Sequence, residues 1–194
     1  MTIKECFEKL IERGIISKDE LQKSTVTYDD IKELEDEYKI KLPEIFKEYL
    51  ITYSYDFTTL LGVVYQYYGE LSEQYIEIIN IPKDNPLSSF KEYIEGIIDM
   101  SAEFDDEDKF LAQGYIPFGD WGAGWGPVCF DTNKKECDVD FDDTDTWTIV
   151  WFDHEEILDG GELKDLATPA TPTFTELIEW YFAGKLQEKY DEEE

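Results

Sequence analysis

Positive charge is scarce in this chain. Lys and Arg number 17 against 47 Asp and Glu, the formal net charge is −30, and Arg13 is the sole arginine. A phosphate backbone needs a cationic footprint, so nucleic acid bound through a basic face is excluded, and an anionic membrane surface with it. Cysteine is sparse too: Cys6, Cys129 and Cys137 are odd in number and scattered, which argues against a disulfide framework and for reduced thiols. The longest apolar run, Leu60 to Tyr68, is broken by Gly62 and Gln66 and falls short of the roughly 18 residues a membrane span requires. The opening MTIKECFEKLIERG is amphipathic and partly acidic, not a basic start leading into an apolar core, so no secretion signal is read. These absences predict a cytoplasmic protein.

What is abundant is aromatic. With 13 Tyr, 12 Phe and 5 Trp, the chain offers more burial than a disordered acidic polymer carries, and 194 residues suffice for one core. Ile3, Phe7, Leu10 and Ile11 recur at helical spacing and Gly14 closes the pattern. Ser17 and Glu20 read as a capping box opening a short helix. A stripe of Ile31, Leu34 and Tyr38 predicts a helix from Asp29, and Pro43 suits the first turn of the next, which holds Ile45, Phe46, Tyr49, Leu50 and Tyr53. Between Phe57 and Ile81 the β-branched and aromatic content predicts two antiparallel strands. Ser89 and Glu92 form another capping box, heading a helix through Phe90 to Ile98.

Short β-rich segments follow at Tyr115 to Phe118, Val128 to Asp131, Cys137 to Phe141 and Thr146 to Phe152. Pro169 and Pro172 mark an extended connection, and Thr173 caps a last helix through Phe182. Helices at both ends with strands between them predict an α+β fold, an antiparallel sheet flanked by N-terminal and C-terminal helices that cover one of its faces.

Chemistry is hard to find. His154, the single histidine, stands at a strand end without a nucleophile-elbow pattern, and reads as a loop residue whose replacement by Ala leaves fold and binding nearly intact. Three Cys and one His lack any zinc-ligand spacing, so no metal is predicted. Asp138-Val-Asp140-Phe-Asp142-Asp143 opens like a calcium loop, but Asp143 stands where Gly is needed and Ile149 where Glu is needed. Alternation instead puts Asp138, Asp140 and Asp142 on one strand face. Gly119, Gly122, Gly124 and Gly126 are followed by Pro127 and a strand, which is no phosphate cradle. They read as a wide turn, with Trp121 and Trp125 either folded back onto the core or exposed as anchors for a partner. No catalytic residue, cofactor or enzyme activity is indicated.

Asp29 to Leu50, with its Ile40-Lys-Leu42-Pro43 step between two amphipathic helices, resembles the opening of the SUKH superfamily of bacterial immunity proteins and fungal cell-wall synthesis regulators. Tyr115-Ile-Pro-Phe-Gly119-Asp120, Val128 to Asn133, Val150 to Glu155 and the helix from Phe174 to Phe182 follow in the same order. The resemblance covers residues 28–186 as the core of a single domain spanning 1–194. It leaves 1–27 as a helical extension and 187–194 as an acidic tail. It implies a non-catalytic protein that binds and neutralises a cognate toxin, or alternatively a regulator or scaffold for cellular proteins.

The charge fits a basic toxin domain such as a nuclease, because a strong negative potential steers a cationic partner to on-rates of about 10⁸ to 10⁹ M⁻¹s⁻¹ at low salt. The expected contact comprises Asp120, Trp121, Trp125, Asp138, Asp140, Asp142, Asp143 and Asp145.

Overall fold

The computed structural model describes residues 1–55, 61–67, 70–79, 81–100, 109–122, 124–133, 144–158 and 162–185, with backbone only for 61–76. Helix α1 (Ile3–Glu12) begins with a reciprocal cap: Glu5 N–H donates to Thr2 Oγ1 (3.2 Å) and Thr2 N–H to Glu5 Oε2 (2.7 Å). It is followed by a 3₁₀ turn (Lys18–Glu20) under the expected Ser17 box and by strand β1 (Gln22–Lys23). Helix α2 (Tyr28–Tyr38) is capped reciprocally by Thr27 and Asp30 and begins one residue ahead of the predicted start at Asp29, because the capping hydroxyl sits at Thr27. Helix α3 (Glu44–Thr52) has Pro43 at its N-cap, and strand β2 (Tyr53–Ser54) pairs with β1.

The Ile-x-Leu-Pro step has a physical basis here. The Glu35 carboxylate accepts the Leu42 N–H at 2.6 Å and lies 3.0 Å from the buried Lys47 ammonium, while Leu42 itself is fully buried. One side chain thus fixes the angle at which α2 gives way to α3.

Strands β3 (Leu61–Tyr67) and β4 (Glu70–Ile78) are the expected antiparallel pair. Helix α4 (Ser88–Met100) starts one residue before the predicted Ser89 cap, and the Ser88 hydroxyl donates to Asn85 O, leaving Ser89 inside the first turn. Strands β5 (Tyr115–Trp121), β6 (Gly126–Asp131) and β7 (Thr148–Trp151) follow, then short helices α5 (His154–Leu158) and α6 (Leu163–Leu166). The predicted strand at Cys137 to Phe141 lies outside the described residues. The stretch around Pro169 is not a bare connection but strand β8 (Thr168–Thr171) on the sheet edge, where a missing N–H is tolerated. Helix α7 (Phe174–Leu177) then widens into a π-helical turn, Ile178–Phe182.

The main sheet is a six-stranded meander in the order β3-β4-β5-β6-β7-β8, so the α+β class holds. On one face Ile116, Phe118, Val128, Phe130 and Ile149 meet α1, α2, α3, α4 and the last helix in a single core. Phe46 is its hub, stacked on Tyr49 and edge-on to Phe90, Phe130 and Phe174 at centroid distances of 5.2–5.7 Å. The opposite face is covered as well, which amends the one-face expectation. Tyr115, Cys129, Val150 and Phe152 alternate onto that side and are sealed by Ile97, Phe110, Ile157 and Leu163. Strands with both faces apolar need a second lid.

The extension in front of residue 28 is built into the main core. Ile3, Cys6, Phe7 and Leu10 are buried, Phe7 packs on Tyr49, Tyr53, Tyr55 and Phe182, and Arg13 donates to the carbonyls of Tyr181 and Phe182.

Candidate functional site

Strand β4 meets β5 only over Ile76 to Ile78, which face Trp121 to Gly119. Glu77 therefore stands directly opposite Asp120. Gly119, beside a β-bulge that follows Pro117, permits this approach: a Cβ there would lie 2.3 Å from the Glu77 carbonyl oxygen. From α4, the Tyr93 hydroxyl donates to the carbonyl of the same Gly119. The result is a cleft of about 340 Å³ lined by Glu77, Ile79, Tyr93, Gly119, Asp120 and Gly124.

Its electrostatics follow from that enclosure. Burial pushes the Asp120 carboxyl up to about 6, Glu77 adds to the rise, and the Gly124 N–H and nearby His154 oppose it. Burial raises Glu77 as well, and drives the Tyr93 phenol well above its ordinary range. Like charges opposed across two strands oppose pairing, so the arrangement costs stability where it occurs.

The turn after β5 is held in place around Asp120. Its carboxylate accepts the Gly124 N–H, and the Trp125 N–H donates to Trp121 O at 2.9 Å. His154, heading α5, directs both its backbone N–H (2.9 Å) and ring Nδ1 (2.7 Å) at Trp125 O, so the ring nitrogen carries its proton there. The Trp125 ring lies across Gly122, whose φ of +69° suits glycine and whose missing Cβ would sit 2.7 Å from that ring. Trp125 is 52% exposed, yet its backbone is tied at both ends. His154 is thus a fastener of this turn, more than the incidental loop residue read from sequence.

Of the expected contact residues, the structure groups two: Asp120 and Trp125. Trp121 is corrected, since it is 0% exposed, stacked on Trp151 at 6.0 Å and edge-on to Tyr181, because it follows the bulge and faces the main core. No partner reaches it in the folded state. Asp145 is separated from the cleft. Asp131 pairs with both Tyr115 and Thr148 at one end of the sheet, whereas Asp120 and Trp125 sit at the other, about 17 Å away along β6. There Asp145, in a 3₁₀ turn (Thr144–Thr146), accepts the Ile45 N–H at 2.9 Å and so tethers the start of α3. Asp138, Asp140, Asp142 and Asp143 lie outside the described residues.

Neither described thiol is reactive. Cys129 is fully buried and pushed far up by desolvation, and burial takes Cys6 to about 11. Among the described residues no three His, Cys, Asp or Glu side chains converge as a metal site, and no helix is long and apolar enough to cross a membrane.

A six-stranded antiparallel meander roofed by helices, with an acidic cleft and a fixed aromatic at one sheet end, defines an α+β domain. The chain belongs to the SMI1 / KNR4 family (SUKH-1), whose model matches residues 25–180. Membership places it in the superfamily of immunity and regulatory proteins. No curated protein matches the chain.

Proposed function

We propose that the protein is an immunity protein that binds a basic toxin domain, such as a nuclease, and neutralises it without chemistry of its own. The observation that carries this reading is the cleft at the β4–β5 junction, where Glu77 and Asp120 oppose each other beside the exposed, tethered Trp125. A Lys or Arg side chain entering it relieves the repulsion of the two carboxylates and gains an aromatic contact. The charge of −30 supplies long-range attraction, and family membership supplies the class of task. The acidic run Asp138, Asp140, Asp142 and Asp143 is a second contact in this proposal, contributing attraction from a different part of the chain.

The test is co-expression with the toxin encoded beside this chain's gene. Rescue of growth, copurification, and an association rate that falls steeply with salt are expected. Asp120→Asn combined with Trp125→Ala should lower affinity at least about 30-fold, the loss of one interfacial hot spot. Rescue absent with both proteins folded would reject toxin neutralisation and favour the regulatory role that other members of the superfamily fill.

A further inference from the structure

The two edges of the main sheet differ in kind. At one, β8 is four residues long and carries Pro169, two features that discourage further pairing. At the other, β3 spans seven residues and pairs with β4 along its whole length, from Leu61 opposite Ile76 to Tyr67 opposite Glu70. Its outer edge meets no further strand among the described residues. It has no proline and no charge. The uncharged stretch around it, Phe57 to Gly69, is the longest in a sequence of which 33% is charged. Acidic chains guard an edge with the charges they have in excess, and this one places none there.

We propose that β3 is a dimerisation edge, at which two copies of this chain add strand to strand about a two-fold axis at Val64. Antiparallel self-pairing then sets Leu61 opposite Tyr67, Gly62 opposite Gln66, Val63 opposite Tyr65, and Val64 opposite its own copy. Every pair is uncharged, and β-branched and aromatic pairs of this kind favour association across antiparallel strands. The occupant is a second copy because an isologous contact needs a self-complementary patch, which on a chain of charge −30 must be a neutral one. A cationic partner finds no counter-charge on this strand. The cleft stays open in such a dimer, since Glu77 lies beyond the β3–β4 ladder and on the other side of β4.

The salt response separates this contact from toxin capture. Two strongly acidic copies repel, so dimerisation should strengthen by about tenfold or more between 0.1 and 1 M NaCl, as the screening length falls from about 10 to about 3 Å. Sedimentation velocity of the full chain should report a species near twice 22.8 kDa, more populated at high salt. Val64→Lys, which sets two ammonium groups face to face, should return the monomer with an unchanged circular-dichroism spectrum. A monomer at both salt concentrations, or a dimer indifferent to Val64→Lys, overturns the proposal. Where Val64→Lys fails to fold, Val64→Cys in a Cys137→Ser background should give an intermolecular disulfide on oxidation and Leu61→Cys should not. Equal cross-linking of the two, or none, overturns it equally, and neither result bears on whether the monomer binds a toxin.

Discussion

Glu77 on β4 and Asp120 on β5 are direct cross-strand partners, two carboxylates held together by a sheet register that most sequences would avoid. The carboxyl of Asp120 rises from an ordinary 3.8 to about 6, chiefly through burial. Within that window the folded state holds a proton that the unfolded state releases. Stability linked to Asp120 is therefore complete below about 3.8 and is lost as pH climbs through about 6. Asp120→Asn keeps an oxygen to accept the Gly124 N–H while removing the charge. Urea midpoints across this range should fall less steeply with rising pH in the variant than in the parent protein, and parallel profiles would refute the assignment.

Gly119 lets these strands meet. Because a Cβ would approach the Glu77 carbonyl to 2.3 Å, and that atom is backbone, Gly119→Ala must push β4 from β5. The expected loss is about 2 kcal/mol or more in denaturant unfolding, whereas Gly96→Ala, at an open site in the interior of α4, should gain about 0.5–1 kcal/mol. Hydrogen exchange at Ile78 and Ile79 should accelerate selectively.

The two tryptophans of the turn should separate stability from binding. Trp121→Ala empties a fully buried site and is expected to cost about 3–5 kcal/mol. Trp125→Ala should change stability by about 1 kcal/mol or less and lower partner affinity instead. Thermal melts and calorimetric titration with the copurified partner measure both.

Much of this was legible in the sequence, for local reasons. Thr173 and Phe174, Ile3 to Leu10, and the β-branched run after Leu61 announce their elements through caps and periodicity, which involve residues a few positions apart. Asp120 and Trp125 stood out as an acid and an aromatic within a glycine-rich turn. Glu77 and Tyr93 did not, because their roles come from a register between strands about 40 residues apart and from a helix laid beside one of them. The bulge after Pro117 turned Trp121 inward, and no alternation pattern foretells a bulge. Asp145 joins the expected contact as one of the carboxylates of the acidic run from Asp138, whereas the β6–β7 ladder carries it to the end of the sheet away from Asp120.

The boundary of the family match gives a last prediction. The match begins at residue 25, yet α1 fills the side of the core between α3 and the π-helical turn. Phe7 touches four aromatic rings there, and Arg13 holds the carbonyls of Tyr181 and Phe182, which a π-turn leaves exposed at its end. Removal of residues 1–24 should therefore unfold the domain rather than trim it, visible as loss of the cooperative thermal transition. Phe7→Ala alone should cost about 3–5 kcal/mol. Arg13→Ala should cost about 1.5–3 kcal/mol, the usual range for hydrogen bonds from a charged donor, and because Nη1 alone serves both carbonyls, Arg13→Lys, whose ammonium carries three donors, should recover part of that loss. A truncated chain that still melts cooperatively near the parent temperature would show instead that α1 is an ornament on a core complete without it.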